Sequence, residues 1–162
     1  MTWKPNPNDD GVWHVNVYSK GRTWLGQTLS NFAHTPFDHS HYGHFESVEG
    51  FWYWYKTRDD VLRSLCGFEA KRTGRLLSQI HPAPDHEILR PVYLSKLQSH
   101  PLLWDALRAN TLPLVHYYVY AGVVHLPLQY QWTADLWNDF VDRPSDQLAL
   151  TLPPPCAKVR PC

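Results

Sequence analysis

The chain has 162 residues, of which 43% are hydrophobic and 19% are charged, so it is long and apolar enough to fold around a core and is not expected to be disordered. Fifteen Lys and Arg residues balance fifteen Asp and Glu residues, which argues against a broad basic surface for nucleic-acid phosphates. No apolar run approaches the ~20 residues of a membrane span, and the first residues lack the apolar core of a signal peptide. We therefore expect a cytoplasmic protein with no membrane partner.

The N-terminal part of the chain predicts a small antiparallel sheet. Residues 12–18 alternate imperfectly between apolar and polar side chains, which is typical of a half-buried strand. A second strand is expected after Pro36 and Phe37. Residues 29–32 predict a loop between the two strands, and residues 38–43 predict a polar turn.

The rest of the chain is mainly helical in its periodicity. Helical segments are expected over 47–57, 58–66, 68–80, 86–97, 102–110 and 133–141, and Gly67 is expected to end the second of them. Residues 112–120 fit either a helix or a strand, and 123–126 fit a short strand. Asp85 is placed to cap the fourth of these helices, and Pro91 falls inside it. We predict a mainly helical α+β single domain over residues 1–152, followed by a Pro-rich C-terminal tail over residues 153–162.

The segment over residues 45–57 carries the strongest candidate site. Ser47 can cap a helix, which places Glu49 in the first turn, where the helix dipole favours a carboxylate. Lys56 lies seven residues further on and shares a face with Glu49, Trp52 and Tyr53. An acid and a base flanked by aromatic rings are typical of one wall of a ligand pocket. The alternative interpretation is a first-turn acid, a solvated lysine and aromatic core residues.

Two clusters of polar residues leave further alternatives open. His39, His41 and His44 could present imidazoles to a metal, although no carboxylate or cysteine follows at a matching spacing, and polar turn residues are the simpler interpretation. A basic cluster, Lys71, Arg72 and Arg75, is either a solvated helix face or a phosphate clamp, for which the planar fork of arginine is well suited.

Several motifs in chain order resemble those of the YbiA-like N-glycosidases, also called the NADAR (NAD and ADP-ribose) superfamily. They are Leu29-Ser30-Asn31-Phe32 with Pro36-Phe37, Ser47-Val48-Glu49 with Lys56, and Ala121-Gly122 with Asp135-Leu136-Trp137. The resemblance covers roughly residues 29–140. The chain departs from the family at Gly50, where the family has His, and at Thr57, where it has Phe.

The resemblance implies a YbiA-like fold and hydrolysis of an N-ribosyl bond. Glu49 matches the catalytic glutamate of the family, and Asp135 matches its catalytic aspartate. Lys56 matches the helix lysine, while Ser30, Asn31 and Phe32 match the loop that helps to build the pocket. Stacking on the base is assigned to Trp52 and Tyr53, and phosphate contact to Arg75.

The expected activity is therefore that of an N-glycosidase, a hydrolase that removes ADP-ribose from a modified nucleobase, most simply guanine, or from a related nucleotide. The expected partner is an ADP-ribosyl or ribosyl nucleotide substrate, which includes an ADP-ribosylated base in nucleic acid. The chemistry requires neither a metal nor an organic cofactor, and no obligate protein partner is evident. The alternative is an inactive module that binds ADP-ribose or a nucleotide on the same fold, and a weaker third hypothesis is a histidine–metal protein.

Overall fold

The computed structural model describes residues 3–141, which form an α+β domain of short helices and strands. The helices are α1 (Trp24–Leu29), α2 (Val48–Thr57), α3 (Gly67–Leu76), α4 (His86–Ser99), α5 (Pro101–Ala109) and α6 (Gln131–Asn138), with 3-10 turns at Pro7–Asp9, Asp60–Ser64 and Leu128–Tyr130. The strands are β1 (Val15–Asn16), β2 (Phe37–His39), β3 (Gly43–Phe45), β4 (Leu114–Val115), β5 (Tyr118–Tyr120) and β6 (Val123–His125). In this part of the chain, no helix has the length and apolar character needed to cross a membrane. The predicted Pro-rich tail lies outside the described residues.

The strands form three two-stranded sheets. Sheets β2–β3 and β5–β6 are antiparallel. A small antiparallel sheet is thus present near the N-terminus, but it joins β2 to β3 around the predicted turn and does not include residues 12–18. The prediction for residues 12–18 was wrong in extent and in pairing, because only β1 is extended there and it pairs in parallel with β4. The backbone N–H groups of Val12 and Trp13 both donate to the Asp9 carbonyl at 2.9 Å. The start of the predicted strand is therefore a turn that exposes its side chains.

Helix α2 begins where its sequence predicts. The Ser47 hydroxyl oxygen accepts the Gly50 N–H at 2.9 Å, and the hydroxyl donates to the Leu65 carbonyl, also at 2.9 Å. A Cβ at position 50 would lie 2.5 Å from the Leu62 carbonyl oxygen. Position 50 therefore has no room for a side chain, which gives a structural reason for glycine where the resembling family carries histidine.

Helix α3 starts at Gly67, whereas the sequence suggested that this glycine would end the preceding segment. Gly67 has a φ of 55°, and the helix runs on from it to Leu76. A Cβ at Gly74 would lie 2.2 Å from Cγ of Tyr53, so the α3 backbone lies directly against the Tyr53 ring on α2. This close packing places the basic residues of α3 beside the first turns of α2.

Helices α4 and α6 pack against each other through buried aromatic side chains. Asp85 caps α4 as predicted, with its carboxylate accepting the Ile88 N–H at 3.1 Å. Pro91 lies within α4 without ending it, and the hydroxyl of Ser95 donates to the Pro91 carbonyl. Trp137 on α6 is fully buried, and its ring lies parallel to that of Tyr93 with the centroids 3.9 Å apart. This stack joins α4 to α6.

Candidate functional site

Glu49 is a buried acid whose carboxyl group has no direct partner. Its residue exposure is 8%, and its backbone N–H donates to the Asn31 carbonyl at 2.9 Å. Within residues 3–141, the carboxyl group makes neither a hydrogen bond nor a salt bridge, and cations act on it only through space. The loop that contains Asn31 is thus joined to the start of α2 by the backbone of Glu49, whose carboxyl group makes no hydrogen bond within residues 3–141.

Burial raises the pKa of Glu49 to about 7, because desolvation disfavours the charged form. Lys71, Arg75 and Lys56 oppose this rise, in that order of strength. The result is a carboxyl group that can either hold or release a proton near neutral pH. Such a pKa suits proton transfer to or from a substrate.

Three cations surround Glu49 without neutralising it by contact. Lys71 lies on α3 with its Nζ 5.5 Å from the centroid of the Phe32 ring, and Lys56 lies on α2 with its Nζ 4.9 Å from the centroid of the Tyr53 ring. Arg75 follows one turn after Lys71 and is exposed. Burial lowers the pKa of Lys56, while the nearby Glu49 acts in the opposite direction. Cations held on aromatic faces beside an acid form a charge pattern suited to an anionic group.

Hydrogen bonds fix the side chains of Ser30 and Asn31 in the loop after α1. Ser30 is buried, and its hydroxyl oxygen accepts the Phe32 N–H at 3.2 Å. The Tyr93 hydroxyl donates to the side-chain oxygen of Asn31 at 2.8 Å. Burial raises the pKa of Tyr93 far above its usual range, and Glu49 is one of the charges that raise it further. Tyr93 therefore stays a neutral donor that fixes the orientation of the Asn31 amide.

Lys96 supports the same loop from inside the core. It is fully buried, and its Nζ donates to the carbonyls of Leu29 at 3.3 Å and Ser30 at 3.0 Å. The Nζ also lies 5.6 Å from the centroid of the Trp137 ring. Burial lowers the pKa of Lys96 to about 7. Sequence reasoning missed this residue, although a lysine between Leu94 and Leu97 on a largely apolar stretch of a helix was an available signal.

The aromatic residues chosen from the sequence lie in different environments. Trp52 is half-buried, and its ring centroid lies 6.3 Å from those of Tyr130 and Trp132, so the start of α6 borders this face of α2. Tyr53 is buried against Gly74. Trp52 is thus the more accessible of the two rings assigned to base stacking, and Tyr53 forms a wall behind Lys56.

Asp135 lies on the exposed side of α6, between buried Ala134 and buried Leu136. The charges that act on Glu49 come from α2 and α3, and Asp135 is not one of them. The structure brings Glu49 together with Asn31, through a backbone hydrogen bond, and with the cations of α2 and α3. The partnership of Glu49 and Asp135 stays a prediction.

Two of the histidines after α1, His34 and His44, contact acids on the surface, whereas the Nδ1 of His39 accepts the backbone N–H groups of His41 and Tyr42. His44 contacts Asp38 at 3.0 Å through one ring nitrogen and Glu46 at 3.1 Å through the other, and His34 contacts Glu46 at 2.5 Å. Both ring nitrogens of His44 are therefore occupied. Within the described part of the chain, no group of three or more His, Cys, Asp or Glu residues is placed to hold a metal ion.

Two open clefts, of about 380 and 230 Å³, are lined by other parts of the chain and do not include Glu49. The clefts and the buried carboxyl of Glu49 thus lie in different parts of the molecule. We take Glu49 as the candidate site, because burial, three nearby cations and the Asn31–Tyr93 hydrogen bond converge there. No protein-family model, curated protein or solved structure matches the chain.

Proposed function

We propose that the protein is an N-glycosidase that hydrolyses an N-ribosyl bond, with ADP-ribose on guanine or on a related nucleotide as its substrate. The observation that carries the proposal is the buried Glu49 carboxyl with a pKa of about 7, which has three cations near it and no bonded partner among residues 3–141. The resemblance of the Leu29–Phe32 and Ser47–Glu49 motifs to the YbiA-like N-glycosidases supports the same activity and the same fold family.

The reaction breaks the bond between ribose C1′ and a ring or exocyclic nitrogen of the base. Positive charge develops on the ribose, and the electron pair of the broken bond leaves with the nitrogen, which takes a proton. Protonated Glu49 is the proposed donor of that proton. The carboxylate left behind stabilises the ribosyl cation and takes a proton from the attacking water, which restores the acid and yields ribose with a new hydroxyl.

The three cations fit the diphosphate of ADP-ribose. Lys56, Lys71 and Arg75 lower the pKa of Glu49 in the free protein. A bound diphosphate would offset their positive charge, so the pKa of Glu49 would rise on substrate binding. Binding would therefore increase the fraction of Glu49 that carries the proton needed by the leaving group.

The test offers purified protein an ADP-ribosylated guanine oligonucleotide, an ADP-ribose conjugate and NAD, and follows products by liquid chromatography. We expect free ADP-ribose from one of these substrates and at least a hundredfold slower release with Glu49→Gln, since general acid–base catalysis contributes roughly 10²–10⁴-fold. The matched control is Glu69→Gln, which removes an exposed acid of α3 and should leave the rate unchanged. Equal rates for wild type and Glu49→Gln would contradict the proposal.

The second candidate is a module that binds ADP-ribose or a nucleotide without cleaving it. Asp135 is exposed and is not among the charges that act on Glu49, which favours this alternative because the family uses two carboxyl groups. Intact substrates, together with a ligand-dependent rise in melting temperature in both wild type and Glu49→Gln, would establish the binding module.

A further inference from the structure

Of the two open clefts, the one with a volume of about 380 Å³ lies on the N-terminal segment. Trp3 and Trp13 both line it, as do Pro113 and Val115 beside β4. This volume is in the range of pockets that hold small organic ligands. Glu49 does not line the cleft, so any ligand here is held independently of the proposed reaction.

The two indoles of this cleft are unusually open to solvent. Trp3 is 56% exposed and Trp13 is 72% exposed. Large aromatic side chains normally bury most of their surface, and two of them exposed in one concave site leave apolar area that a planar ligand can cover. Aromatic platforms of this kind stack nucleobases, because every base has a flat π face.

Trp13 is held on a rigid turn. The N–H groups of Val12 and Trp13 both donate to the Asp9 carbonyl at 2.9 Å, and the Gly11 N–H donates to the His14 carbonyl at 2.7 Å. Gly11 has a φ of 85°, which this turn requires and which glycine adopts without strain. The backbone that carries the exposed indole is therefore ordered before any ligand arrives, so binding does not have to order this turn.

Trp3 is braced from behind by a buried histidine. The rings of Trp3 and His14 meet edge to face, with centroids 6.0 Å apart and an interplanar angle of 89°. The Nε2 of His14 is hydrogen-bonded to the Tyr117 hydroxyl at 2.9 Å, and His14 itself is 2% exposed. The Trp3 indole thus rests against a buried, hydrogen-bonded histidine.

The polar groups of the cleft select an uncharged ligand edge. Lys4 and Asp9 line it together, so their charges offset each other and give little net attraction for phosphate. Asn6 adds an amide, which can exchange hydrogen bonds with the edge of a heterocycle. We propose that this cleft binds a nucleoside by stacking its base on the indoles of Trp3 and Trp13.

The experiment titrates adenosine into the full chain by isothermal calorimetry, with Glu49→Gln as a common background so that the other site is the same in every variant. We expect Trp13→Ala and Trp3→Ala each to weaken adenosine binding at least about fivefold, the lower end of what base stacking contributes. Trp24→Ala is the matched control, because Trp24 is 55% exposed and does not line the cleft, and it should change the affinity less than twofold.

Three competing ligands complete the test. AMP should bind within about threefold of adenosine because the cleft has no net positive charge, and ribose or glucose should not displace adenosine at equal concentration. Unchanged adenosine affinity in both Trp3→Ala and Trp13→Ala, or full displacement by either sugar, would overturn the proposal. Adenosine binding to this cleft and ADP-ribose release test separate proposals, since Trp3 and Trp13 lie outside the Glu49 site.

Discussion

The Glu49 carboxyl makes folding stability depend on pH in an unusual direction for an acid. Its pKa is raised from 4.5 to about 7, so between these values the unfolded chain is ionised while the folded chain stays largely protonated. Ionisation therefore favours unfolding, and the contribution of Glu49 to stability falls as pH rises from about 4.5 to 7 and levels off above that range.

Glu49→Gln should remove this penalty. We compare the free energy of unfolding of the variant with that of wild type at each pH. This difference should be about 3 kcal/mol more in favour of the variant at pH 8 than at pH 4.5, because each pKa unit corresponds to about 1.4 kcal/mol. Urea unfolding at both pH values measures the gain. Glu69→Gln, which replaces an exposed acid, should show no such change, and a wild-type-to-variant difference that is the same at both pH values would disprove the assignment.

Lys96 has the opposite dependence. Burial lowers its pKa from 10.5 to about 7, so the folded chain loses this proton at lower pH than the unfolded chain. The unfolded state then binds more protons between these values, and the contribution of Lys96 to stability rises as pH increases from about 7. We expect the free energy of unfolding of Lys96→Met to fall further below that of wild type as pH rises from 7 to 9.5, as measured by urea unfolding. A difference that does not vary over this range would contradict the shifted pKa.

The sequence could identify Glu49 but neither Tyr93 nor Lys96. Glu49 follows a capping serine and precedes aromatic residues at helical spacing, which are local signals. The partners of Lys96 are the carbonyls of Leu29 and Ser30, 67 and 66 residues away in the chain. No local pattern specifies such contacts, since they depend on how α4 packs against the loop after α1.

At the scale of elements, the contact between α2 and α3 sets the geometry of the site. Gly74 lets the two helices approach so closely that Lys71 and Arg75 act on Glu49. Gly74→Ala would normally favour a helix by about 1 kcal/mol, but here its Cβ would meet the Tyr53 ring at 2.2 Å. Since overpacking a tight contact typically costs about 1–3 kcal/mol, we expect a net loss of stability.

Thermal unfolding checks this prediction, with Arg72→Ala as the control on the exposed side of α3. The control should melt within a few degrees of wild type. The same separation of the helices should weaken the cation field at Glu49, so the Glu49 pKa in Gly74→Ala should rise, as NMR titration of the side-chain carboxyl would show. A stabilised Gly74→Ala would mean that the two helices are less tightly packed than described.

Helix boundaries were predictable where a side-chain cap marks them. Ser47 and Asp85 start α2 and α4 as their sequences indicate. Gly67 was misinterpreted because a glycine near the end of an amphipathic stretch usually terminates it, whereas this one adopts a positive φ and opens α3. The strand predicted at residues 12–18 was also wrong, because apolar and polar side chains can alternate along a turn as they do along a strand.

At the scale of the whole molecule, the cations of α2 and α3 should couple ligand binding to global stability. We expect ADP-ribose to raise the melting temperature of Glu49→Gln, because a ligand that binds only the folded state at a hundred times its Kd stabilises by about 2.7 kcal/mol. Lys71→Ala combined with Arg75→Ala should reduce the rise to what the cleft at Trp3 and Trp13 alone contributes, and Arg72→Ala should retain it in full. An equal rise in all variants would place the ligand elsewhere.

The sheet topology was beyond prediction from periodicity. Each sheet has only two short strands, and β1 pairs with β4 across most of the described chain. The α+β class and its mainly helical character followed from composition and periodicity, whereas the partner of each strand depends on the packing of all the helices between them.

The parallel pairing of β1 with β4 also determines when the N-terminal segment can be completed during synthesis. His14 and Tyr117, the hydrogen-bonded pair behind Trp3, are 103 residues apart. At about 5–20 residues per second, a ribosome needs roughly 5–20 s to supply the second partner after the first. Throughout that interval, His14 behind Trp3 lacks its hydrogen-bond partner, and release before Tyr117 would leave this corner of the protein permanently unassembled.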